Sequence, residues 1–196
     1  YLTFPEDLEN YADISVYALT CTLPFVLGSE DIRVSFSELW PLNCHLCAIT
    51  PRLRAMPFGN LSAKYFIVGD APSFFGCDRD RKFSRAWDKG NTSMLLRCAL
   101  REIGLHEQCW FTNLLKCAVP NNRPSTGSEV KLCKQHFDRE LANIRPQQVI
   151  SLGKHTHQFL PDSIFLYHPA YFIRRSNSCY AYARYISNVF ERAGIS

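Results

Sequence analysis

The stretch 64-KYFIVGDAPS-73 decides the fold of this chain. Every residue from Tyr65 to Val68 is apolar, and Gly-Asp follows at once. A short unbroken apolar run that ends in turn residues is typical of a strand buried on both faces, as in a parallel sheet. We therefore predict a buried strand that ends at Asp70.

The rest of the chain repeats this pattern, with amphipathic segments between the apolar runs. The further predicted strands are 109-CWFTNLL-115, 147-QQVISLG-153 and 163-SIFLYHP-169. The predicted helices are 92-TSMLLRCALREIGL-105, a segment from a Thr126–Glu129 capping box to Ile144, 154-KHTHQFL-160 and 179-CYAYARYISNVFERAG-194. Alternating strands and helices predict a three-layer α/β/α sandwich around a central, mainly parallel four-stranded sheet.

Polar residues gather where the predicted strands end. These ends read GDAPS, TNLLKC, SLGK and YHPAYF. Ligands of open parallel sheets bind outside the carboxyl ends of the strands. The sequence therefore predicts a site at this edge.

Composition excludes several classes of protein. The chain has 196 residues, 20% of them charged, a net charge of +4 and no apolar run of the ~20 residues that cross a bilayer. Its acidic start does not resemble a secretory signal. We expect a monomeric protein that has no membrane segment. We also expect that it is not secreted and is located in the cytoplasm, nucleoid or nucleus. Residues 44–196 form the predicted main domain, and residues 1–43 a helical extension packed on it.

Nine cysteines are a high count for such a chain. The pair in 44-CHLC-47 is compatible with a metal site, a redox pair or a disulfide. Cys117 and Cys133 lie on either side of a long loop, and with Cys44 and Cys47 they would complete a four-thiolate site of the kind that iron–sulfur clusters and structural zinc accept. Buried apolar cysteines remain an alternative.

Five segments, in order, resemble the iron–sulfur-containing (family 4) type of uracil-DNA glycosylase. The most specific one, 111–133, runs from Thr-Asn through Lys-Cys, Pro, Arg, Pro and Glu to a last Cys, as in that family. The stretch 66-FIVGDAPS-73 is similar to the family's G-E-A-P-G motif, and 167-YHPAYFIRR-175 to its H-P-S or H-P-A motif. The remaining two are 44-CHLCAITPR-52 and 149-VISLGKHT-156. The resemblance covers about residues 44–190.

This resemblance implies a monofunctional DNA glycosylase of base-excision repair that hydrolyses the N-glycosidic bond of uracil, or of a related base, in single- or double-stranded DNA. It also implies a structural 4Fe–4S cluster held by Cys44, Cys47, Cys117 and Cys133, with zinc as the alternative metal. The other cysteines are expected to be apolar filler: Cys21, Cys77, Cys98, Cys109 and Cys179.

The resemblance gives three residues catalytic roles. Asn113 would read the polar edge of the base, and His168 would stabilise the charge that grows on the departing base. Asp70 occupies the position of the family's Glu and would orient water or stabilise the cationic sugar. It is one methylene shorter, and Ser73 replaces the usual Gly, and both departures bear on which base is excised. No role is assigned to the other histidines: His45, His106, His136, His155 and His157.

Further residues complete the predicted site. Ala71 joins Asn113 in the base-binding set, and Phe83 is the expected stacking ring, with Phe74, Phe75 or Trp87 as substitutes. The DNA-binding residues are expected to be Tyr171 or Phe172 as a wedge and Arg174 and Arg175 as phosphate ligands. Lys116 and Arg123 are expected to follow the DNA backbone.

Two alternatives remain open. In the first, the altered pocket belongs to a repurposed member of the superfamily that acts on a modified base or binds DNA or protein without excision. In the second, the chain is a zinc-binding nucleic-acid or scaffold module.

Overall fold

The computed structural model describes residue 44 and residues 57–73, 91–175 and 178–195. The strands in these ranges are β1 (Phe58–Gly59), β2 (Tyr65–Gly69), β3 (Cys109–Asn113), β4 (Gln148–Leu152) and β5 (Ile164–Leu166). The α-helices are α1 (Asn91–Glu102), α2 (Gly127–Ile144), α3 (Lys154–Phe159), α4 (Pro169–Arg175) and α5 (Cys179–Arg192). Single 3₁₀ turns span His106–Gln108 and Pro120–Asn122.

The strands form one sheet in the order β1-β3-β2-β4-β5. Strand β2 is parallel to both β3 and β4, and β5 is parallel to β4. The four strands predicted from the sequence are confirmed. The described sheet has one more, the two-residue β1, which pairs antiparallel with β3. So short a strand carries no sequence periodicity, and it could not be recognised in advance.

Side chains of the central strand alternate between two apolar layers. Tyr65 and Ile67 pack into a core with residues of α1 and α5, whereas Phe66 and Val68 pack into a second core with residues of α2. Every residue of β2 is buried. The alternation is the consequence of the two-residue period of a strand, and it confirms the three-layer α/β/α sandwich.

Helix α2 begins at the predicted capping box. The Thr126 hydroxyl accepts the backbone N–H of Glu129 at 3.3 Å, and the Glu129 carboxylate accepts the N–H of Thr126 at 2.8 Å. The α4 helix, in contrast, is an addition to the prediction, because no helix was predicted between His168 and Cys179.

The predicted extension over residues 1–43 lies outside the described residues. Among the helices that the structure describes, none combines the length and the apolar character needed to cross a membrane.

Candidate active site

Asp70 and Asn113 lie side by side at the carboxyl edge of the sheet. Strands β2 and β3 pair with Gly69 opposite Asn113, and Asp70 follows directly. Past the strands, the N–H of Leu115 donates to the carbonyl of Asp70 at 2.9 Å and keeps the segments that follow β2 and β3 together. Asn113 is 7% exposed. Asn113 is therefore buried beside the exposed end of the sheet edge rather than on an open surface.

His168 reaches the same edge from the far side of β4. Strand β5 ends at Leu166, and β4 lies between β5 and β2. Gly153 follows β4 with a φ of +86°, and any Cβ at this position would lie 3.3 Å from the Cβ of His168. The missing side chain thus lets His168 pack over the end of β4. Asp70 and His168 consequently flank the end of one strand.

His168 is set up as a neutral hydrogen-bond donor. The backbone N–H of Ala170 donates to its Nδ1 at 3.2 Å, so the neutral ring carries its proton on Nε2. Although the residue is exposed, protein atoms crowd its ring. The loss of solvation that this crowding causes, together with the charge of Arg174, lowers the pKa of His168, and Asp70 has a smaller, opposing effect. At neutral pH the Nε2–H group can donate to an oxygen of a bound base.

The Asp70 carboxylate is engaged by the loop before α2. The backbone N–H of Ser125 donates to Oδ2 at 3.1 Å, and the Ser125 hydroxyl donates to Oδ1. His155 Nε2 lies 3.1 Å from the Ser125 hydroxyl and 3.7 Å from Asp70 Oδ1. Sequence reasoning missed both partners. Their signals were weak: a serine before a helix cap, and a histidine in the first turn after β4.

An ion pair fixes the loop that carries Ser125. Arg123 forms a two-pronged contact with the Glu129 carboxylate, with Nη1 at 3.0 Å from Oε2 and Nη2 at 2.5 Å from Oε1. The hydrogen bond from Arg123 is the largest cause that lowers the pKa of Glu129 to about 2, and the Thr126 backbone and side chain contribute further. Arg123 thus has a partner within the chain, although its side chain remains 44% exposed.

Lys116 does not follow the DNA backbone, contrary to the prediction. It is 3% exposed, and its ammonium lies 2.8 Å from the fully buried carboxylate of Glu140. The same ammonium donates to the carbonyl of Asn113 at 2.8 Å and to the hydroxyl of Thr112 at 2.6 Å. Burial between β3 and α2 removes Lys116 from any DNA surface. It holds the end of β3 instead.

Two tyrosines of α5 hold the backbone just before His168. The hydroxyl of Tyr182 donates to the carbonyl of Tyr167 at 2.8 Å, and the N–H of Tyr167 donates to the hydroxyl of Tyr185 at 3.0 Å. Burial raises the pKa of both phenols, that of Tyr185 to about 12. Both therefore stay protonated, and the peptide of Tyr167 is held on both sides.

The predicted DNA-contacting residues lie on α4. Arg174 and Arg175 are exposed, as phosphate contacts require. Tyr171 is half-buried, stacks on Tyr167 at 5.0 Å and lies beneath the guanidinium of Arg175 at 4.8 Å. Phe172, in contrast, is 4% exposed and packs in the core. Its position does not suit a side chain that enters DNA, so Tyr171 is the better placed of the two.

The cysteines predicted as cluster ligands lie partly within the described residues. Cys117 and Cys133 pack against the same small apolar group around Leu115. Cys44 Sγ lies 3.3 Å from Nε2 of His136. His136 follows Cys133 by one helical turn on α2. In the described ranges, no three His, Cys, Asp or Glu side chains form a group that could hold a metal.

Some predicted residues lie outside the described part of the chain. These are Cys47, Phe83 and the substitutes Phe74, Phe75 and Trp87. Ala71 is described, half-buried beside Asp70, where it packs on the group around Leu115.

Of the cysteines predicted to be filler, Cys21 and Cys77 lie outside the described residues, and the three described ones divide into two kinds. Cys109 is 1% exposed, and burial raises its pKa to about 12, so it is the inert filler that the sequence predicted. Cys98 and Cys179 are not filler: they form a disulfide that joins α1 to the first turn of α5, with their Cα atoms 5.9 Å apart. A pairing across 81 residues leaves no local signal in the sequence.

Comparison with known proteins agrees with this arrangement. The family model of the Uracil DNA glycosylase superfamily matches residues 56–190, which include β2, β3 and the His168 segment. The chain belongs to this superfamily.

Among curated relatives, a Type-4 uracil-DNA glycosylase from Archaeoglobus fulgidus is 40% identical over 105 residues, which cover 52% of this chain and 49% of the relative. One of the same type from Saccharolobus solfataricus is 33% identical over 121 residues, 60% of this chain and 54% of the relative. A Type-5 uracil-DNA glycosylase from Pyrobaculum aerophilum is 33% identical over 109 residues, 50% and 48% of the two chains. The chain thus spans about half the length of the curated relatives it matches.

Proposed function

We propose that this protein is a monofunctional DNA glycosylase that hydrolyses the N-glycosidic bond of uracil in DNA. One observation carries the proposal. Asp70, Asn113 and His168, from three separate segments, meet at the carboxyl edge of the sheet in a chain that belongs to the Uracil DNA glycosylase superfamily. DNA would be bound by a monomer, in the cytoplasm or in the nucleoid or nucleus.

Each side chain has a chemical task in this reaction. The base must leave the stack, and negative charge then grows on it as the bond to the sugar breaks. The Nε2–H of His168 is a donor for a base oxygen, which helps most in the transition state. Asn113 would pair with the polar edge of the base. Asp70 would orient the attacking water or stabilise the positive charge on the sugar.

DNA binding would use the exposed arginines of α4. Arg174 and Arg175 follow His168 by two helical turns at most and offer positive charge for phosphates. Tyr171, which lies between His168 and these arginines, is the proposed wedge, and Phe83 the proposed stacking ring.

The chemistry of the cysteine set suits a 4Fe–4S cluster. We propose Cys44, Cys47, Cys117 and Cys133 as its ligands, since four thiolates are what such clusters take from proteins. When bound, the cluster would be structural and would tie Cys117 and the first two turns of α2 to the segment around Cys44. Zinc is the alternative, and metal analysis with an absorption spectrum of the purified protein distinguishes the two.

The test is excision on oligonucleotides carrying uracil, hypoxanthine, xanthine or 5-hydroxymethyluracil. We expect uracil cleavage by the wild type and a loss of about 100-fold or more in Asp70→Ala and His168→Ala. Asp162→Ala, which changes an exposed carboxylate in a turn, is the matched control and should remain active. Cleavage of another base in preference to uracil would favour the alternative with an altered pocket. DNA binding without cleavage of any base would overturn the proposal.

One observation favours the alternative in which the protein acts on a modified base. The Asp70 carboxylate is drawn to Ser125 by two hydrogen bonds, on a side chain one methylene shorter than the Glu of the resembling family. Water or sugar would have to approach a carboxylate set back from the family's position, and the panel of bases reports directly on that change.

A further inference from the structure

Three polar groups form a chain that ends on Asp70. His155 Nε2 lies 3.1 Å from the Ser125 hydroxyl, and this hydroxyl in turn contacts Asp70 Oδ1. The three residues come from α3, the loop before α2 and the end of β2, so the fold, not local sequence, brings them together. Ser125 is 5% exposed, and this chain of contacts is therefore partly shielded from water.

The chemistry of the groups fixes the direction of each hydrogen bond. The carboxylate of Asp70 can only accept when ionised, so the Ser125 hydroxyl donates to it. The hydroxyl's lone pairs then face His155, and the carbonyl of Ser125 also lies 3.1 Å from His155 Nε2. Both neighbours of this nitrogen are acceptors. His155 therefore carries a proton on Nε2 and donates toward Ser125.

The imidazole is itself held in place. Its ring meets the ring of Phe159 edge to face, with centroids 5.3 Å apart, one turn later on α3. Its side chain is 36% exposed, so the ring is not enclosed on every side. The donor side therefore points to Ser125 in a fixed orientation.

We propose that Ser125 and His155 are positioning residues that hold the Asp70 carboxylate in its working orientation. Ser125 restrains both carboxylate oxygens, one through its N–H and the other through its hydroxyl. Each oxygen has two lone pairs, so one on each remains available for water or for the sugar. His155 orients the hydroxyl that orients the carboxylate. The inference rests on the proposed function and assigns roles to two residues beyond it.

A purely structural role makes a different prediction. If the contacts serve only to fix the loop before α2, their loss should weaken DNA binding and stability and leave the chemical step unchanged. If they position Asp70, their loss should slow the chemical step, and it should do so only while Asp70 is present.

The experiment measures single-turnover cleavage of uracil-containing DNA at saturating protein, together with the Kd for the same DNA. For Ser125→Ala we expect the rate constant to fall about 100-fold, as for other misplacements of a catalytic group, with the Kd within twofold of wild type. Ser125→Thr keeps the hydroxyl and should restore most of the rate. His155→Ala should slow cleavage about five- to tenfold, the worth of one hydrogen bond, and His155→Gln, which keeps an N–H donor, should recover it.

The double variant Asp70→Ala/Ser125→Ala decides between the two roles. Because Ser125 acts through Asp70, the double variant should cleave no more slowly than Asp70→Ala alone. An unchanged rate in Ser125→Ala, or a further loss in the double variant, would overturn the inference while wild-type cleavage upholds the proposed function. A wild type that cleaves no base of the panel would overturn both.

Discussion

Asp70 and His168 flank the end of the same strand, yet different interactions hold them. On the polar wall, defined as Asp70, Asn113, Ser125 and His155, hydrogen bonds to side chains orient the reactive groups. On the aromatic wall, defined as Tyr167, Phe172, Tyr182 and Tyr185, packed rings hold the backbone before His168. A polar contact can be lost with little loss of packing, whereas ring packing is part of the core. We expect polar-wall changes to slow the chemistry first and aromatic-wall changes to unfold the protein first.

The buried ion pair behind Asn113 is the exception on the polar side, and its loss should have the largest effect. Lys116→Ala leaves the Glu140 carboxylate without its cation in a fully buried place. An uncompensated buried charge costs about 3–5 kcal/mol. Urea unfolding should show this loss in the free energy of unfolding.

The same helix offers a matched control for this pair. Lys134 and Asp138 form an exposed ion pair on α2, and Lys134→Ala should cost less than about 0.5 kcal/mol. Replacing both buried partners, as in Lys116→Met/Glu140→Leu, should recover most of the stability. Equal losses of unfolding free energy in Lys116→Ala and Lys134→Ala would show that Glu140 is not left as an uncompensated buried charge.

The disulfide behind the aromatic wall should have the next largest effect. Cys98–Cys179 closes a loop with a sequence separation of 81 residues, and the chain-entropy argument gives about 4.5 kcal/mol for such a loop. Cys98→Ala/Cys179→Ala should lower the free energy of unfolding by up to this amount, as measured in urea.

A reducing agent separates this bond from the other cysteines. It should destabilise the wild type toward the stability of the double variant and leave the double variant unchanged. A count of reactive thiols, two higher after reduction of the unfolded wild type, checks the cause. A wild type that does not respond to reduction would contradict the prediction, and it would agree with the rarity of disulfides in reducing compartments.

The tyrosine pair sharpens the comparison of the two walls. Tyr182→Phe leaves the buried carbonyl of Tyr167 without its donor, at a cost of about 1–3 kcal/mol. We expect this variant to lose stability in urea but to keep most of its cleavage rate where it is folded, the reverse of Ser125→Ala. Tyr180→Phe, at an exposed position on the same helix, is the control and should change neither quantity. A Tyr182→Phe variant that is fully stable but inactive would remove the proposed difference between the walls.

The sequence predicted the parts of this fold that depend on neighbouring residues. The apolar run 65–68 identified β2, and the spacing of Thr126 and Glu129 identified the start of α2, because both signals lie within one element. The convergence of Asp70, Asn113 and His168 was also predictable, since strands that are parallel end at the same edge.

The contacts around Asp70 and the disulfide join residues that are distant in the chain, and the sequence did not predict them. Ser125 and Asp70 are 55 residues apart, and the disulfide joins residues 81 apart. Lys116 illustrates the same limit: a lysine is usually exposed, and its burial depends on Glu140, which lies 24 residues later on α2. Helix α4 was missed because seven residues that begin with a proline carry too short a pattern to distinguish from a loop.

The smallest effect concerns the ion pair that supports the Ser125 loop. The pKa of Glu129 is lowered from 4.5 to about 2, so the stability it adds is present in full above pH 4.5 and is lost as the pH falls toward 2. Arg123 is 44% exposed, and water and salt therefore weaken the pair. We expect Glu129→Gln to cost only about 1 kcal/mol at pH 6, through the lost charge opposite Arg123, because Gln at this position keeps the capping box.

Urea unfolding at a series of pH values tests this prediction. The difference in unfolding free energy between wild type and Glu129→Gln should shrink as the pH falls from 4.5, because the wild-type carboxylate takes up the proton that the amide mimics. Asp162→Asn, in an exposed turn, should show no such convergence. A difference that stays constant down to pH 2.5 would mean that the Glu129 charge does not support the loop. The polar wall would then depend on Ser125 and the Thr126 hydroxyl for its position at the start of α2.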